Sequence, residues 1–418
     1  MSLEIKEIST RLIYNSRGEG SVEADVWVDG VLGRASSPSG ASVGKHEAIN
    51  FADESGKKTI EKFQDYRSKL IGLDASDPRS VTSALKEIDG TPNYSNIGGS
   101  AAYAITIASV DSASKALGIP LYQLLLQGKE ARMPIPLGNV LGGGRHAGEG
   151  SPDIQEFLSY PKGARSIEDA ILTNLEVHRE VRKILAKRNP RFTGGKGDEG
   201  AWAPNISSDD ALEVISEAIN TISDRTGFEI RAGVDIASSS FWNEEKKLYI
   251  YSREGKKRNT EEQIQYILDL IDKYRIYYVE DPLHEEAFQD HVTLTEKSHE
   301  SLIVGDDLFV TNAERLENGA KIHSCNGVIL KVNQAGALGD AMDFAETATR
   351  NSYQIITSHR SGDTADAHLA HIAIGTGALM MKSGVVGGER IAKLNELLRI
   401  DELRLIREGS SMTLAQAG

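Results

Sequence analysis

Three acidic residues each end a short apolar run in the second half of the chain. The runs RAGVD, IYYVE and LIVGD end at Asp235, Glu280 and Asp306. Carboxylates that meet in a small pocket raise one another's pKa unless a cation lies between them. Because oxygen-only ligands favour hard divalent ions, the three residues predict a site for Mg²⁺, and after it Mn²⁺. For any one of these acids taken singly, a helix cap or an ion pair with a lysine remains an alternative.

Three further apolar runs end at residues with other chemistry. GVILK ends at Lys331, IITSH at His359 and LMMK at Lys382. A lysine that is partly desolvated beside a metal site loses proton affinity and can act as a general base, which is the role we expect for Lys331. The residues after His359 offer the Arg360 guanidinium, the Ser361 hydroxyl and backbone N–H groups at one turn. This turn is suited to a phosphate or a carboxylate.

The elements that must position these residues are indicated by the spacing of the runs. Most of the runs lie about 25 residues apart, and helical patterns such as TEEQIQYILDLIDKY fill the intervals. Strand, loop and helix repeated in this way predict βα units and a closed parallel barrel. Because barrel enzymes carry their active sites at the C-terminal ends of the strands, we expect the six polar residues to surround one pocket.

The first part of the chain has a different pattern. Residues 3–34 alternate apolar and polar positions, which predicts antiparallel strands with a turn near Asp29–Gly30. From about residue 53 to 127 the pattern is helical. The charged, proline-interrupted segment 127–136 marks the change between the two patterns. We therefore expect an N-terminal α+β domain at residues 1–130 and a barrel domain at residues 131–418.

Composition excludes several classes of partner. The chain has 418 residues, with 47 basic and 61 acidic side chains and a net charge of −14. This charge argues against binding of nucleic acid or of an anionic membrane through the overall field. The single Cys325 cannot form an internal disulfide, and the charged segment MSLEIKEISTR lacks a signal-peptide core. We expect a cytoplasmic protein that needs neither a membrane nor a nucleic acid.

Distinctive blocks of sequence lie along nearly the whole chain. They are PSGASVGKHEA (38–48), GGGRHAGEG (142–150), QEF (155–157), GDEGAWAPN (197–205), VEDP (279–282), GDDLFVTN (305–312), LKVNQ (330–334), SHRSGDT (358–364) and ERIAKLNELLRI (389–400). In combination these blocks resemble the enolase family. The segment DGTPNYSNIGGSAA is similar to the short archaeal form of that family.

The resemblance implies a fold and a reaction. The fold is an α/β one, with a small α+β N-terminal capping domain followed by an enolase-type eight-fold α/β (TIM-like) barrel whose first strands and helices depart from simple βα alternation. The reaction is the reversible, Mg²⁺-dependent dehydration of 2-phosphoglycerate to phosphoenolpyruvate in glycolysis and gluconeogenesis. The resemblance also implies a homodimer, or a larger homo-oligomer built from dimers.

The resemblance further implies roles for individual residues. Asp235, Glu280 and Asp306 would hold the first Mg²⁺, and Ser42 would hold a second Mg²⁺ that binds with the substrate. Lys331 would remove the C2 proton, Glu199 supported by Glu156 would protonate the C3 hydroxyl, and His359 would assist. The substrate contacts would be His146, Gln155, Glu156, Glu280, Asp306, Lys331, Ser358, His359, Arg360, Ser361 and Lys382. The interval from His146 to Gln155 is one residue longer than in the common form of the family.

Two other functions compete with this interpretation. The chain could be another barrel enzyme of the enolase superfamily that removes a proton from a different carboxylate. It could also have an added non-catalytic role, as an RNA-processing scaffold or as a surface binding protein. The turn at His359–Ser361 and the PSGAS loop favour a phosphorylated substrate over the first of these alternatives.

Overall fold

The chain begins with a small antiparallel sheet. The structure, a computed structural model, describes residues 2–40, 44–126, 128–148 and 150–416. Strands β1 (Ile5–Tyr14), β2 (Gly20–Val28) and β3 (Val31–Ser36) pair in that order. Asp29 and Gly30 form the turn between β2 and β3 with φ angles of 49° and 79°, the positive values that a two-residue hairpin turn requires. The strands and the turn lie where the sequence pattern predicts them.

Helices follow this sheet along the chain. They are α1 (Lys57–Tyr66), α2 (Pro78–Asp89), α3 (Gly99–Leu117) and α4 (Leu121–Leu126). Helix α3 is buried along most of its length and packs on β2 and β3. A Cβ on Gly33 would lie 2.1 Å from the carbonyl oxygen of Ala108, so only glycine at this position lets the helix approach the sheet so closely.

The rest of the chain is built around a barrel and a small added sheet. The strands are β4 (Ile135–Gly142), β5 (Glu156–Tyr160), β6 (Arg231–Asp235), β7 (Trp242–Asn243), β8 (Leu248–Tyr251), β9 (Lys256–Arg258), β10 (Tyr278–Glu280), β11 (Leu302–Gly305), β12 (Gly327–Leu330), β13 (Gln354–Ser358) and β14 (Met380–Gly384). Eight strands of the described chain close into a barrel in the order β10-β11-β12-β13-β14-β4-β5-β6, and β7, β8 and β9 form the added sheet.

Helices accompany these strands along the chain. They are α5 (Gly144–Ala147), α6 (Ile167–Arg188), α7 (Ser208–Thr226), α8 (Thr260–Tyr274), α9 (Phe288–Lys297), α10 (Ala313–Ala320), α11 (Val332–Ala335), α12 (Leu338–Arg350), α13 (His368–Gly375) and α14 (Gly388–Glu408). Local sequence sets several of their starts. Ser207 with Asp210, and Asn259 with Glu262, form reciprocal capping boxes at the N-termini of α7 and α8. The predicted fold class, an α+β N-terminal unit followed by an α/β barrel, is confirmed.

The expectation of an all-parallel barrel, drawn from the spacing alone, is wrong at β5. This strand pairs antiparallel with both β4 and β6, whereas the other neighbouring pairs are parallel. Among its described residues, the link from β4 to β5 contains the short α5 and no crossover helix, so the chain turns back beside β4. Two helices, α6 and α7, then precede β6. As a result Glu156, the first residue of β5, is level with Asp235, the last residue of β6.

The N-terminal unit lies over the mouth of the barrel. Ser39 pairs with Gly362, just beyond β13, and the Ala48 N–H donates to the Gln334 carbonyl, just beyond β12, at 2.8 Å. Both partners follow C-terminal ends of barrel strands, so the unit is attached at the end where a barrel active site is expected. In the part of the chain that the structure describes, every helix is too short or too polar to cross a membrane.

Candidate active site

The barrel mouth brings together residues that end different strands. Asp235 and Glu280 are register partners at the ends of β6 and β10, and Asp306 directly follows the next strand, β11. Lys331 follows β12 and His359 follows β13. All but one of these residues line a single cavity, and Glu280 is fully buried beside it. Five of the six residues marked by apolar runs therefore meet at the ends of their strands.

Lys382, the sixth, lies within a strand and not at its end. It is level with Ser358 in the pairing of β14 with β13, and β14 continues to Gly384. Its Nζ atom lies 3.0 Å from Asp235 Oδ2, 2.6 Å from Glu280 Oε2 and 3.0 Å from an oxygen of Glu156. Although burial lowers the pKa of Lys382, these carboxylates raise it well above its ordinary value. The ammonium group is therefore a fixed positive charge among three acids.

Lys331 forms an ion pair with Asp306. Its Nζ donates to Asp306 Oδ2, and the Gln334 amide donates to Oδ1 at 2.9 Å. Burial lowers the pKa of Lys331, but Asp306 and Glu280 outweigh burial and raise it. The lysine therefore keeps its proton in this ion pair, and the loss of proton affinity expected beside a metal site stays a prediction. Burial raises the pKa of Asp306, but Lys331 outweighs burial and holds this pKa below its usual range.

The predicted metal ligands are on neighbouring strands, but lysines bind them. Among the described residues, one group with oxygens close enough to share an ion is Asp281, Asp306 and Asp307, and not the predicted set Asp235, Glu280 and Asp306. Lys382 holds Asp235 and Glu280, while Lys331 holds Asp306. Each of the three acids therefore forms the ion pair with a lysine that the sequence leaves open as an alternative.

The donor chemistry nevertheless fits a hard divalent cation. Burial and the charge of Asp235 raise the pKa of Glu280 to about 8, and Glu280 Oε1 is buried with no hydrogen-bond partner among the described residues. Burial and Asp306 likewise raise the pKa of Asp307 to about 7. Crowded carboxylates with an unsatisfied oxygen offer the oxygen-only ligands that such a cation prefers.

Glu199 reaches the cavity from a loop between helices. It lies between α6 and α7, and its Oε2 accepts a hydrogen bond from Asn139 of β4 at 2.9 Å. His359 Nε2 lies 3.1 Å from the same oxygen. His146 Nδ1 lies 3.4 Å from Glu156 Oε1 and 3.8 Å from Glu199 Oε1. Two acids and two histidines therefore form one buried cluster at this side of the mouth.

The members of this cluster differ in their affinity for a proton. Burial raises the pKa of Glu156. Burial would also raise the pKa of Glu199, but His359, His146 and Arg390 hold it well below its usual range. Burial lowers the pKa of His146, but Glu199 and Glu156 outweigh it and bring the pKa to about 9. Environments that push neighbouring pKa values apart are typical of proton-transfer sites.

An arginine and two serines lie where an anionic group is expected. Arg360 is buried, and its guanidinium donates to Glu47 at 3.0 and 3.3 Å and to Asn333 at 3.0 Å. Ser358 and Ser361 line the same cavity. Gln155 also lines it, and its amide nitrogen lies 3.3 Å from Asp235 Oδ2. The predicted metal ligand Ser42 lies outside the described residues.

Several residues of the site escaped the sequence analysis. Glu47, Asp281 and Asp307 line the cavity. Arg390 and Asn139 bind two of the residues that line it, His359 and Glu199. Asp281 and Asp307 directly follow predicted ligands, so adjacency to a strand end was an available signal for them. Glu47, Arg390 and Asn139 come from other parts of the chain, and no local pattern distinguishes them.

Comparison with known proteins agrees with this architecture. The family model "Enolase, N-terminal domain" matches residues 5–125, and "Enolase, C-terminal TIM barrel domain" matches residues 130–410. An enolase of Methanosphaera stadtmanae is 47% identical over 404 residues, covering 96% of this chain and 98% of its own. Enolases of Methanothermobacter thermautotrophicus and Haloarcula marismortui are 43% and 45% identical, over 95% of this chain and 96% and 98% of theirs. With its barrel, its N-terminal unit and these relatives, the chain belongs to the enolase family.

Proposed function

We propose that the chain catalyses the reversible dehydration of 2-phosphoglycerate to phosphoenolpyruvate at the mouth of its barrel. The observation that carries this proposal is the arrangement of strands around the mouth. Strands β12 and β5 are four positions apart in the closed barrel, so they lie on opposite sides of it. Lys331 after β12 and Glu156 on β5 therefore face the cavity from opposite sides. Glu199, the proposed acid, belongs to the same cluster as Glu156. A base and an acid on opposite sides of the cavity are suited to removing a proton and a hydroxyl group from adjacent carbons.

The remaining groups occupy the two arcs between base and acid. The arc through β6, β10 and β11 carries the carboxylates Asp235, Glu280 and Asp306. The other arc, through β13 and β14, carries the basic residues Arg360 and Lys382. The Lys382 ammonium contacts Asp235 and Glu280 of the first arc. A substrate whose carboxylate lies near these groups and whose phosphate lies near Arg360 matches this arrangement, provided that a cation lies on the acidic arc.

The cation we propose is Mg²⁺, with two ions per site. Asp235, Glu280 and Asp306 would hold one ion, and Ser42 together with the substrate phosphate would hold the second. When bound, the ions would supply positive charge at the substrate carboxylate. Asp306, once it holds an ion, would pair less strongly with Lys331, and the proton affinity of the lysine would fall.

Lys331 is the proposed base at C2. A proton beside a carboxylate is weakly acidic, because its removal adds charge to a group that is already anionic. The base must therefore be strong, close and shielded from water. Lys331 meets these needs because its side chain is largely buried and lines the cavity. Lys382 lies against the substrate carboxylate in this proposal and helps to hold the developing charge.

Glu199 is the proposed acid at the C3 hydroxyl. Hydroxide is a poor leaving group, so it must be protonated as it departs. Glu156 and His146, whose pKa values are raised, supply protons within the cluster, and His359 holds the Glu199 carboxylate in place. Arg360, Ser361 and Ser358 would bind the phosphate, and Gln155 would border the substrate through its contact with Asp235.

The absorbance of phosphoenolpyruvate formed from 2-phosphoglycerate tests the proposal. We expect turnover with Mg²⁺, loss of turnover on chelation, and recovery when Mg²⁺ is restored. The variant Lys331→Ala serves as the inactive control for a contaminating enzyme. A pure, folded protein without turnover of 2-phosphoglycerate would contradict the proposal and favour a different carboxylate substrate within the superfamily.

Further assignments accompany this function. A cytoplasmic location, a homodimer or larger homo-oligomer, and a division of the chain at residues 130 and 131 are proposals of the same kind. Light scattering at several protein concentrations tests the oligomeric state. Limited proteolysis tests the division, because a linker between domains is cut before their cores.

A further inference from the structure

The turn that carries Glu199, residues 197–202, packs closely on the end of β14. A Cβ on Gly384 would lie 2.1 Å from the carbonyl oxygen of Glu199, and a Cβ on Gly200 would lie 2.3 Å from that of Val386. Gly200 also has a φ angle of 81°. On this side the turn is therefore fixed by contact of backbone with backbone.

On the other side the turn is held by a side chain, His178 of α6. Its Nε2 lies 3.0 Å from the carbonyl oxygen of Gly200, the residue directly after Glu199. His178 is 3% exposed, and burial lowers its pKa to about 4, so the ring is neutral at pH 7. Because a carbonyl oxygen can only accept, Nε2 carries the proton and donates it.

Trp202, at the end of the same turn, completes a reciprocal contact with His178. The two rings stack with their centroids 4.6 Å apart, and the indole N–H donates to the His178 carbonyl at 2.8 Å. Phe192 packs edge-on against the indole, and the cations of Arg182 and Lys196 lie 5.4 and 4.9 Å from its centre. The end of the turn is thus fixed to α6 by two hydrogen bonds and a stacked pair.

The same helix also supports the partner of the Glu199 carboxylate. Asn174 lies one helical turn before His178 and donates to the Pro136 carbonyl of β4 at 2.9 Å. Strand β4 in turn carries Asn139, which donates to Glu199 Oε2. One face of α6 therefore contacts both the turn that carries Glu199 and strand β4, whose Asn139 binds the Glu199 carboxylate. The helix thereby sets the position of both.

We infer that His178 is a positioning residue for the proposed acid, which it serves by fixing the Gly200 carbonyl and, through it, the Glu199 turn. This inference rests on the proposed function. It assigns His178 no contact with substrate and no proton of the reaction. Because Lys331 lies across the mouth, directly after β12, loss of His178 should disturb the acid step and leave the base step nearly unchanged.

The test compares two rates in each variant: formation of phosphoenolpyruvate, and exchange of the C2 hydrogen of 2-phosphoglycerate with deuterium in D₂O, followed by NMR. His178→Phe keeps a ring that can stack but removes the donor. We expect its kcat to fall by about tenfold to a hundredfold, since a displacement near 1 Å at a reacting group has an effect of this size. KM and the rate of C2 exchange should stay within about twofold. His178→Gln restores an N–H donor and should recover part of kcat.

His291→Phe is the matched control. His291 is another fully buried helical histidine with a pKa near 4, and it lies 2.9 Å from a backbone carbonyl, but it does not line the cavity. This variant should lose stability without changing the ratio of exchange to elimination. Trp202→Phe, which removes the indole donor, provides a second variant should His178→Phe fail to fold. The ratio of C2 exchange to elimination should rise in this variant, as in His178→Phe.

The outcomes separate the inference from the proposed function. If wild-type protein turns over but His178→Phe and Trp202→Phe keep its ratio of exchange to elimination, the role of His178 is wrong. If wild-type protein does not turn over 2-phosphoglycerate, the proposed function is wrong. Crystal structures then still decide the inference. A Glu199 carboxylate displaced from Asn139 in His178→Phe, and restored in His178→Gln, supports it, and an unmoved carboxylate overturns it.

Discussion

The Arg390 Nη1 atom lies 2.7 Å from His359 Nδ1. Because arginine can only donate, Nδ1 must be the unprotonated ring nitrogen. Burial lowers the pKa of His359 to about 4, so the ring is neutral at pH 7 and its one proton is on Nε2. That nitrogen lies 3.1 Å from Glu199 Oε2. Arg390 therefore sets the tautomer with which His359 faces the proposed acid.

Arg390→Lys should lower kcat by about tenfold or more while changing KM little, because a lysine keeps the charge but lacks the planar fork. Arg390 also donates to the carbonyls of Arg360 and Ser361 at 2.6 and 2.7 Å, so we expect a loss of about 1–3 kcal/mol in the free energy of unfolding. Steady-state kinetics and urea unfolding measure the two effects. Unchanged kcat in a folded variant would contradict the tautomer argument.

Asp306→Ala should abolish turnover at ordinary Mg²⁺ concentrations, because two carboxylates hold a hard ion far less well than three. Calorimetry with Mg²⁺ should show the loss of the first binding event. Asp224→Ala, which removes an exposed acid on α7, is the control and should bind metal normally. Near-normal activity of Asp306→Ala would refute the assignment of this residue as a ligand.

Lys331→Ala and Glu199→Gln should separate the two proton transfers. The lysine variant should lose both turnover and C2 exchange, since no other base stands in its place. The glutamine variant should lose turnover but keep some exchange, because the base remains and the amide has nearly the same shape. Deuterium NMR of 2-phosphoglycerate reads both results. Exchange in the lysine variant alone would mean that the roles are reversed, and exchange in neither would indicate a concerted reaction.

The stability of the protein should depend on His368, which joins the barrel to the N-terminal unit. It contacts Asp366 and lies 3.5 Å from Asp111 of α3. Burial lowers the pKa of His368, but Asp366 and Asp111 outweigh it and raise the pKa to about 10. A histidine whose pKa is raised on folding stabilises fully below pH 6.5 and loses this contribution as the pH rises towards 10.

Urea unfolding at pH 6 and pH 9 measures this contribution. We expect the contribution of His368, measured as the difference between wild type and His368→Gln, to fall by on the order of 2–4 kcal/mol between the two values. His368→Gln should therefore lose less unfolding free energy than wild type over the same interval, while His299→Gln, which changes an exposed histidine, should behave as wild type. Equal pH dependence in wild type and His368→Gln would contradict the prediction.

The sequence by itself determined the strand ends and the residues they present. Asp235, Glu280, Asp306, Lys331 and His359 could be found because a buried strand is a short apolar run, and its end is a local feature of the chain. The resemblance to the enolase family added Glu156 and Glu199, which no local pattern marks. Glu156 begins its strand, since β5 is antiparallel, and Glu199 lies between two helices.

The tertiary structure alone decided which of these groups touch. The register of β14 placed Lys382, which lies within that strand, among three carboxylates, and closure of the barrel set Lys331 opposite Glu156. The tertiary structure also brought Arg390 to His359 and His178 to the Glu199 turn, although the members of each pair are separated by many residues along the chain. Hydrophobic patterning specifies which face of each element is buried, but strand order, register and helix packing decide which distant side chains come within hydrogen-bond distance.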